Sequence, residues 1–112
     1  MIHESLRMKF ASDLLDEAGE ILCAIVERTR VGPGCLGCEV YQDLMDPCTL
    51  LFEGWWKTQD DLDRHLRSDP YRRVILVMEM AVEYPVIRFS EISKTTGMET
   101  VRNSRFGLSP EV

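Results

Sequence analysis

The sequence has little of what several classes of protein need. Its apolar runs are short, such as the four residues Val74–Val77, whereas a membrane-spanning helix needs about 20. It carries 13 Lys and Arg against 19 Asp and Glu, for a net charge of −6, which opposes contact with a phosphate backbone. It has no Gly-rich phosphate loop and no Ser nucleophile elbow. These absences argue against a membrane protein and against nucleic-acid binding.

Length and composition predict a single folded domain. The chain has 112 residues, of which 45% are apolar and 29% are charged, as in ordinary globular proteins. The first residues, Met1 to Ser5, lack the basic start and apolar run of a secretory signal. We therefore expect the four cysteines to be reduced thiols in the cytoplasm rather than two disulfides.

Hydrophobic patterning predicts four strands and two main helical segments. Alternating or doubly apolar stretches predict strands at residues 5–10, 35–42, 49–56 and 86–92. Ser12 is expected to cap the first helix. Thr58 is expected to cap a short helix, and Asp69, followed by Pro70, the helix after it.

The order strand, helix, strand, strand, helix, strand predicts an α+β fold: a ferredoxin-like βαββαβ unit with an antiparallel sheet and its helices on one side. We expect this domain to span residues 1–93 and residues 94–112 to form a C-terminal extension of uncertain order. One sheet face is then left bare, and residues 49–56 are apolar on both faces. The bare face is therefore expected to pack against a second copy in a symmetric homodimer.

Several segments with matching order and spacing resemble the antibiotic biosynthesis monooxygenase family. They are Pro33–Tyr41, Asp46–Pro47, Trp56, Leu62–Ser68 and Tyr71, and the resemblance covers residues 5–92. It implies a dimeric α+β barrel, in which two ferredoxin-like subunits pack sheet against sheet. It also implies a choice of activities: oxygenation of quinols or polyketide anthrones without metal or flavin, haem degradation, or isomerisation of a quorum-signal derivative. Fold alone does not choose among them.

The chain departs from the family pattern at two places. Members often have Glu two residues before the tryptophan that matches Trp56, where this chain has Gly54, and Glu53 is expected on the opposite strand face. In the haem-degrading branch, the resemblance aligns His65 with a tryptophan and Ile75 with a histidine. This mismatch disfavours haem degradation.

His65 is the candidate catalytic residue. Oxygenation without a cofactor needs a base that removes a phenolic proton inside a water-excluding pocket, and imidazole changes protonation between about pH 5 and 8. Of the two histidines, only His65 lies on the apolar side of a predicted helix, whereas His3 is expected at the surface. The alternative interpretation is that His65 simply packs on Leu62 and Leu66.

Trp56 and Phe52 are the candidate pocket wall. By alternation they share a strand face with Gly54, whose missing side chain is expected to leave room for a stacked planar ring. Trp55 points to the other face and is assigned to the subunit interface. Ordinary core packing is the alternative for Trp56.

Three further residues are candidates for substrate binding. Tyr41 and Tyr71 are expected to present hydroxyl groups to the ligand, and Arg88 to neutralise an anionic substrate. Structural roles remain open for all three residues; for Arg88 the alternative is an ion pair with an acid such as Glu39.

Cys35 and Cys38 form a C-x-x-C pair inside a predicted strand. Residues three apart in a strand face opposite sides, so we expect two free thiols rather than a metal or redox site.

The leading hypothesis is therefore a monooxygenase that acts on a small aromatic or quinol-type substrate with dioxygen and no cofactor. The alternative is a non-catalytic small-molecule-binding or stress-related protein on the same scaffold, which the absence of Glu at Gly54 favours. A third hypothesis is an isomerase or decarboxylase, which would convert its substrate without dioxygen.

Overall fold

The computed structural model describes residues 1–107 as a four-stranded antiparallel sheet with four helices. The strands are β1 (Ile2–Lys9), β2 (Cys35–Gln42), β3 (Thr49–Trp56) and β4 (Val86–Glu91). The helices are α1 (Leu15–Arg30), α2 (Gln59–Leu66), α3 (Asp69–Glu79) and α4 (Met98–Phe106). The sheet order is β2-β3-β1-β4, so the predicted ferredoxin-like α+β architecture is confirmed.

The central strands β1 and β3 bury one face against the helices. Leu6 pairs with Phe52 and Met8 with Leu50, and all four side chains are at most 6% exposed. We call this the inner face and the opposite one the outer face. Burial of each such side chain stabilises the fold by about 1.5–3 kcal/mol. The inner face and the helices share one core, whose buried members include Phe10, Ala18, Leu22, Ile25, Val26, Cys38, Val74 and Val77.

Strand β1 begins earlier than the sequence predicts. It starts at Ile2, which pairs with Trp56, rather than at Ser5. The pairing with β3 extends the inner-face alternation backward by two positions, so that Glu4 joins Leu6 on the buried side. The carboxylate of Glu4 therefore lies in the interior.

Two predicted helix caps are wrong. The first helix has Leu14 at its N-cap and no side-chain cap, because Ser12 lies in the preceding turn. The cap of α3 is Ser68, whose side chain accepts a hydrogen bond from the backbone N–H of Tyr71. Asp69 is instead the first residue of the helix, where its charge still complements the helix dipole.

The C-x-x-C pair lies on one face, contrary to the expectation. A β-bulge between Cys35 and Gly37 resets the alternation, so Cys35 pairs with Trp56 and Cys38 with Gly54, both inner-face residues. All four cysteines are free. Burial raises the pKa of Cys38 to about 12, and the neighbouring Cys35 adds to this increase. The Cys38 thiol is therefore protonated at neutral pH.

The far edge of the sheet and the C-terminal segment carry little packing. Every residue of β4 is exposed, and α4 has no buried residue. The segment predicted to be of uncertain order thus contains a helix, and the domain boundary at residue 93 stays a prediction. Within residues 1–107, no helix has the length and apolar character needed to cross a membrane.

Candidate active site

A cavity of about 150 Å³ opens at one end of the inner face, where the end of α1, helix α2 and the start of α3 meet. Trp56 and His65, two of the residues singled out from the sequence, line it together with Thr29 and Pro33. A space of roughly 150 Å³ is enough for one benzene-sized ring. The cavity therefore suits a small aromatic group.

Helix α2 and the turn after it fix the position of His65. The Thr58 side chain accepts a hydrogen bond from the N–H of Asp61, which confirms Thr58 as the cap. The Asp61 carboxylate accepts from the Thr58 hydroxyl at 2.8 Å rather than from its backbone N–H, so the pair differs from a capping box in this second bond. At the other end, Ser68 Oγ donates to the backbone carbonyl of His65 at 2.6 Å. Both ends of the short helix are thus held by side chains.

The imidazole of His65 is buried among aromatic rings. It stacks on Trp56 with ring centroids 4.3 Å apart and an interplanar angle of 23°. Tyr71 meets it edge-on at 5.1 Å. The His65 residue is 5% exposed. Burial and the charge of Glu4 raise the pKa of Tyr71 to about 12, so the Tyr71 hydroxyl is protonated at neutral pH.

Glu4 is the residue of the candidate site that the sequence analysis missed. It is 1% exposed, and its Oε1 accepts a hydrogen bond of 3.0 Å from Trp56 Nε1. The same oxygen lies 2.8 Å from His65 Nε2. This second pair is close but is not aligned as a hydrogen bond, and His65 Nε2 has no other hydrogen-bond partner in the described part of the chain. It is a short electrostatic contact. One carboxylate oxygen therefore touches both rings of the stacked pair.

The space above Gly54 is filled by this carboxylate rather than by a ligand. Glu4 and Gly54 are directly paired across β1 and β3, and a Cβ at residue 54 would lie 2.6 Å from Glu4 Oε1. The expectation that Gly54 leaves room for a planar ring is therefore corrected. The signal was present in the sequence, because Glu4 continues the alternation of Leu6 and Met8 as a charged residue on an apolar face.

The remaining candidates are not brought to the cavity wall. Phe52 is fully buried in the main core, and Tyr71 reaches the site through its contact with His65. Tyr41 and Arg88 lie on the outer face, where they are exposed and pair with Leu51 and Ser5. We correct the expectation that they face the cavity, since the alternation of β2 and β4 points them away.

His3 is less exposed than the sequence suggests. It stacks on Trp55 on the outer face, with ring centroids 5.0 Å apart. Its Nε2 lies 3.5 Å from Glu53 Oε1, and its side chain is 24% exposed. Glu53 thus lies on the face opposite Trp56, as expected. Among residues 1–107, no group of three His, Cys, Asp or Glu side chains is arranged to hold a metal ion.

Comparisons with known proteins agree with this fold. No curated protein matches the chain. A candidate antibiotic biosynthesis monooxygenase from Deinococcus radiodurans superposes with a TM-score of 0.79 at 19% identity, over 87% of this chain and 97% of that one. A conserved protein from Methanosarcina mazei Go1 gives 0.75 at 25% identity, over 80% and 90%. The antibiotic biosynthesis monooxygenase family model matches residues 1–75, and the chain therefore belongs to that family.

Proposed function

We propose that this protein is a cofactor-independent monooxygenase that oxidises a small aromatic, quinol-type substrate with dioxygen. The observation that carries the proposal is the buried imidazole of His65, stacked on Trp56 at the wall of a ring-sized cavity. Membership of the monooxygenase family supports the reaction class. The aromatic substrate is our own inference from the residues around the cavity, and the independence from metal and flavin is inferred from the resemblance to the cofactor-free members of the family.

Substrate binding relies on the walls of the cavity. Trp56 contributes to the wall although it is only 2% exposed, and Pro33 and Pro70 add apolar lining. An aromatic ring in this open-ended space is partly removed from water, which strengthens the electrostatic interactions of its inner hydroxyl group. The oxidation then proceeds with less competing hydration of the substrate anion.

The proton is removed by His65. The Glu4 carboxylate beside Nε2 favours the tautomer with its proton on that nitrogen, which leaves the lone pair of Nδ1 to accept a phenolic proton. Glu4 then stabilises the resulting imidazolium through its negative charge, 2.8 Å from Nε2, without the aligned hydrogen bond that the carboxylate of a catalytic triad makes. The Tyr71 hydroxyl is not a competing base, because its pKa of about 12 keeps it protonated.

The electrons come from the substrate itself. Oxidation of the quinol to the quinone supplies two electrons, and conversion of one ring C–H bond to C–OH supplies two more. These reduce dioxygen so that one oxygen atom enters the ring and the other leaves as water. The net reaction is quinol plus dioxygen to hydroxyquinone plus water. The protein contributes binding, deprotonation and exclusion of water.

Aerobic turnover of menadiol tests this proposal. Purified protein is expected to consume dioxygen faster than the autoxidation of menadiol alone and to release a hydroxylated quinone. Loss of general-base catalysis in His65→Ala should lower kcat by on the order of 10²-fold or more. The matched control is His3→Ala, which removes the other stacked histidine and should keep kcat within about two-fold.

A second variant separates chemistry from folding. His65→Gln retains a polar side chain of similar size and should lose activity as His65→Ala does, while circular dichroism confirms that both remain folded. Unchanged dioxygen consumption in folded His65 variants would refute the role of His65. If the parent protein binds quinols without consuming dioxygen, the non-catalytic alternative is favoured. The main support for that alternative was the missing carboxylate at Gly54, and it is weakened because Glu4 places a carboxylate there.

We also propose that the protein acts as a homodimer in the cytoplasm. The outer face is uncovered in the single chain and carries Trp55, Tyr41 and Val86, the last two 49% and 48% exposed. A second copy packed sheet to sheet would bury this surface. The four free thiols suit a reducing compartment. Light scattering at micromolar concentration tests the dimer, and a monomer there would contradict it.

A further inference from the structure

Two exposed arginines belong to the lining of the cavity. Arg28, in the last turn of α1, and Arg64, on α2, are exposed and contribute to its lining. Arg64 is paired with Asp61 at 3.2 Å, whereas Arg28 forms no ion pair with any of residues 1–107. The charge of Arg28 is therefore available to an anionic group of a ligand in this cavity.

Thr29 gives a second, independent indication. It is 4% exposed and lines the same cavity, and its Oγ1 has no hydrogen-bond partner within the described part of the chain. A buried hydroxyl without a partner costs about 1–3 kcal/mol elsewhere in proteins. Such groups are uncommon in native structures and call for an explanation. A ligand oxygen that bonds to Thr29 would remove the deficit.

We propose that the cavity takes an aromatic acid: a phenol or quinol that carries a carboxylate, bound through the Arg28 guanidinium and the Thr29 hydroxyl. The ring then lies against Trp56 and His65, and its phenolic oxygen reaches the imidazole. This inference rests on the proposed function for the oxidation of the ring, but the binding step stands by itself. It names the substrate class that the family assignment leaves open.

The charge distribution of the chain supports a dedicated carboxylate site. With a net charge of −6, the protein as a whole repels anions, so an anionic ligand needs local cations to compensate. Arg28 supplies an unpaired one on the lining of the cavity that Thr29 also lines. A guanidinium and a hydroxyl together satisfy the two oxygens of one carboxylate, and hydrogen bonds to a charged group are about twice as strong as neutral ones.

Matched ligand pairs test the proposal. Calorimetric titration would compare each of the three monohydroxybenzoates with its neutral amide, which has the same ring and size. We expect at least one acid to bind about ten-fold more tightly than its amide. Arg28→Gln should reduce this ratio to near one, while Arg73→Gln, an equal charge change at an exposed position on α3, should leave it unchanged.

Variants of Thr29 test the second contact. Thr29→Val removes the hydroxyl at nearly constant volume and should weaken binding of the preferred acid several-fold, and Thr29→Ser should restore it. Equal binding of acid and amide in all three pairs, or no binding of any acid at millimolar concentration, would overturn the proposal. If menadiol is oxidised but acids bind no more tightly than their amides, only this inference is wrong. If acids bind more tightly than their amides but no quinol causes dioxygen consumption, only the proposed oxidation is wrong.

Discussion

Two groups of the same three residue types lie around the end of β3, one on each face of the sheet. The inner trio is His65, Trp56 and Glu4, and the outer trio is His3, Trp55 and Glu53. In each, the imidazole stacks on the indole, at interplanar angles of 23° and 21°. In each, the carboxylate lies beside the histidine Nε2, at 2.8 Å and 3.5 Å.

Burial distinguishes the two trios. The histidine and glutamate side chains of the inner trio are 3% and 1% exposed, and those of the outer trio 24% and 23%. Helices α2 and α3 supply neighbours of the inner trio and, with the end of α1, line an open cavity beside it, whereas the outer trio stays partly exposed in the described part of the chain. Electrostatic interactions are stronger where water is excluded. The same three side chains thus become a candidate active site on one face only, which shows that residue type alone does not define it.

Truncation of the two tryptophans should give the largest contrast. Trp56→Ala opens a cavity in the interior and should lower the free energy of unfolding by about 3–5 kcal/mol at any protein concentration. Trp55→Ala should cost about 1 kcal/mol or less in the dilute monomer. If the outer face pairs with a second copy, that cost grows with protein concentration, because only the dimer buries Trp55.

Urea denaturation over a range of protein concentrations measures both effects. Equal, concentration-independent losses for the two variants would mean that the outer trio is as buried as the inner one within a single chain. The comparison between the faces would then be wrong. Far-ultraviolet circular dichroism follows the unfolding of either variant.

The fold could be predicted from the sequence because its signals are local and repeated. Alternation along β1 and the apolar stripe of α1 predict which faces are buried, and the structure follows them. Bounds and caps were harder to predict: strand pairing with Trp56 extends β1 to Ile2, and Ser68 rather than Asp69 caps α3. The bulge at Cys35 depends on pairing with β3, which no local pattern reveals.

The site could be predicted only in part. His65 was identified because it lies on the apolar side of a predicted helix, and Trp56 because it shares a strand face with Phe52 and Gly54. Glu4 was missed because the strand was predicted to begin at Ser5, and because only the sheet register brings Glu4 to its partners, 52 and 61 positions away in the chain. Arg88 was assigned to the cavity because the face that β4 presents was not known from its short pattern.

Substitution of Glu4 and of Glu53 should give the next largest contrast in the free energy of unfolding. Glu4→Leu keeps a side chain of similar size but leaves the buried indole N–H of Trp56 without an acceptor, which should cost about 1–3 kcal/mol of unfolding free energy. Glu53→Leu breaks only a partly exposed contact and should cost under about 1 kcal/mol. Glu4→Gln, which retains an acceptor oxygen, should be less destabilised than Glu4→Leu.

A double-mutant cycle isolates the hydrogen bond from the Trp56 indole to the Glu4 carboxylate. If Glu4 acts by accepting from Trp56, Glu4→Leu combined with Trp56→Phe should cost less than the sum of the single variants, because the second change removes the orphaned donor. Strict additivity in urea denaturation would show that Glu4 contributes nothing through this bond, and the two carboxylates would then be equivalent.

The smallest effect should appear at alkaline pH. Burial, and secondarily Glu4, raise the pKa of Tyr71 from 10 to about 12. Below pH 10 the hydroxyl is protonated in the folded and unfolded chains alike, so the full stability is present. Above it the unfolded chain ionises first, and stability falls as the pH rises toward 12. Relative to Tyr71→Phe, the parent should lose roughly 1 kcal/mol between about pH 9 and about pH 11.

The alkaline titration also separates the two carboxylates. Glu4→Gln removes the smaller of the two causes and should lower the pKa of Tyr71 toward its ordinary value without reaching it, because burial persists. Glu53→Gln should leave that pKa unchanged, since the sheet lies between Glu53 and Tyr71. The tyrosinate absorbance of Tyr71, obtained as the difference from Tyr71→Phe, measures both shifts. Equal shifts in the two variants would mean that the field of a carboxylate crosses the sheet, and that covering by helices does not set the inner trio apart.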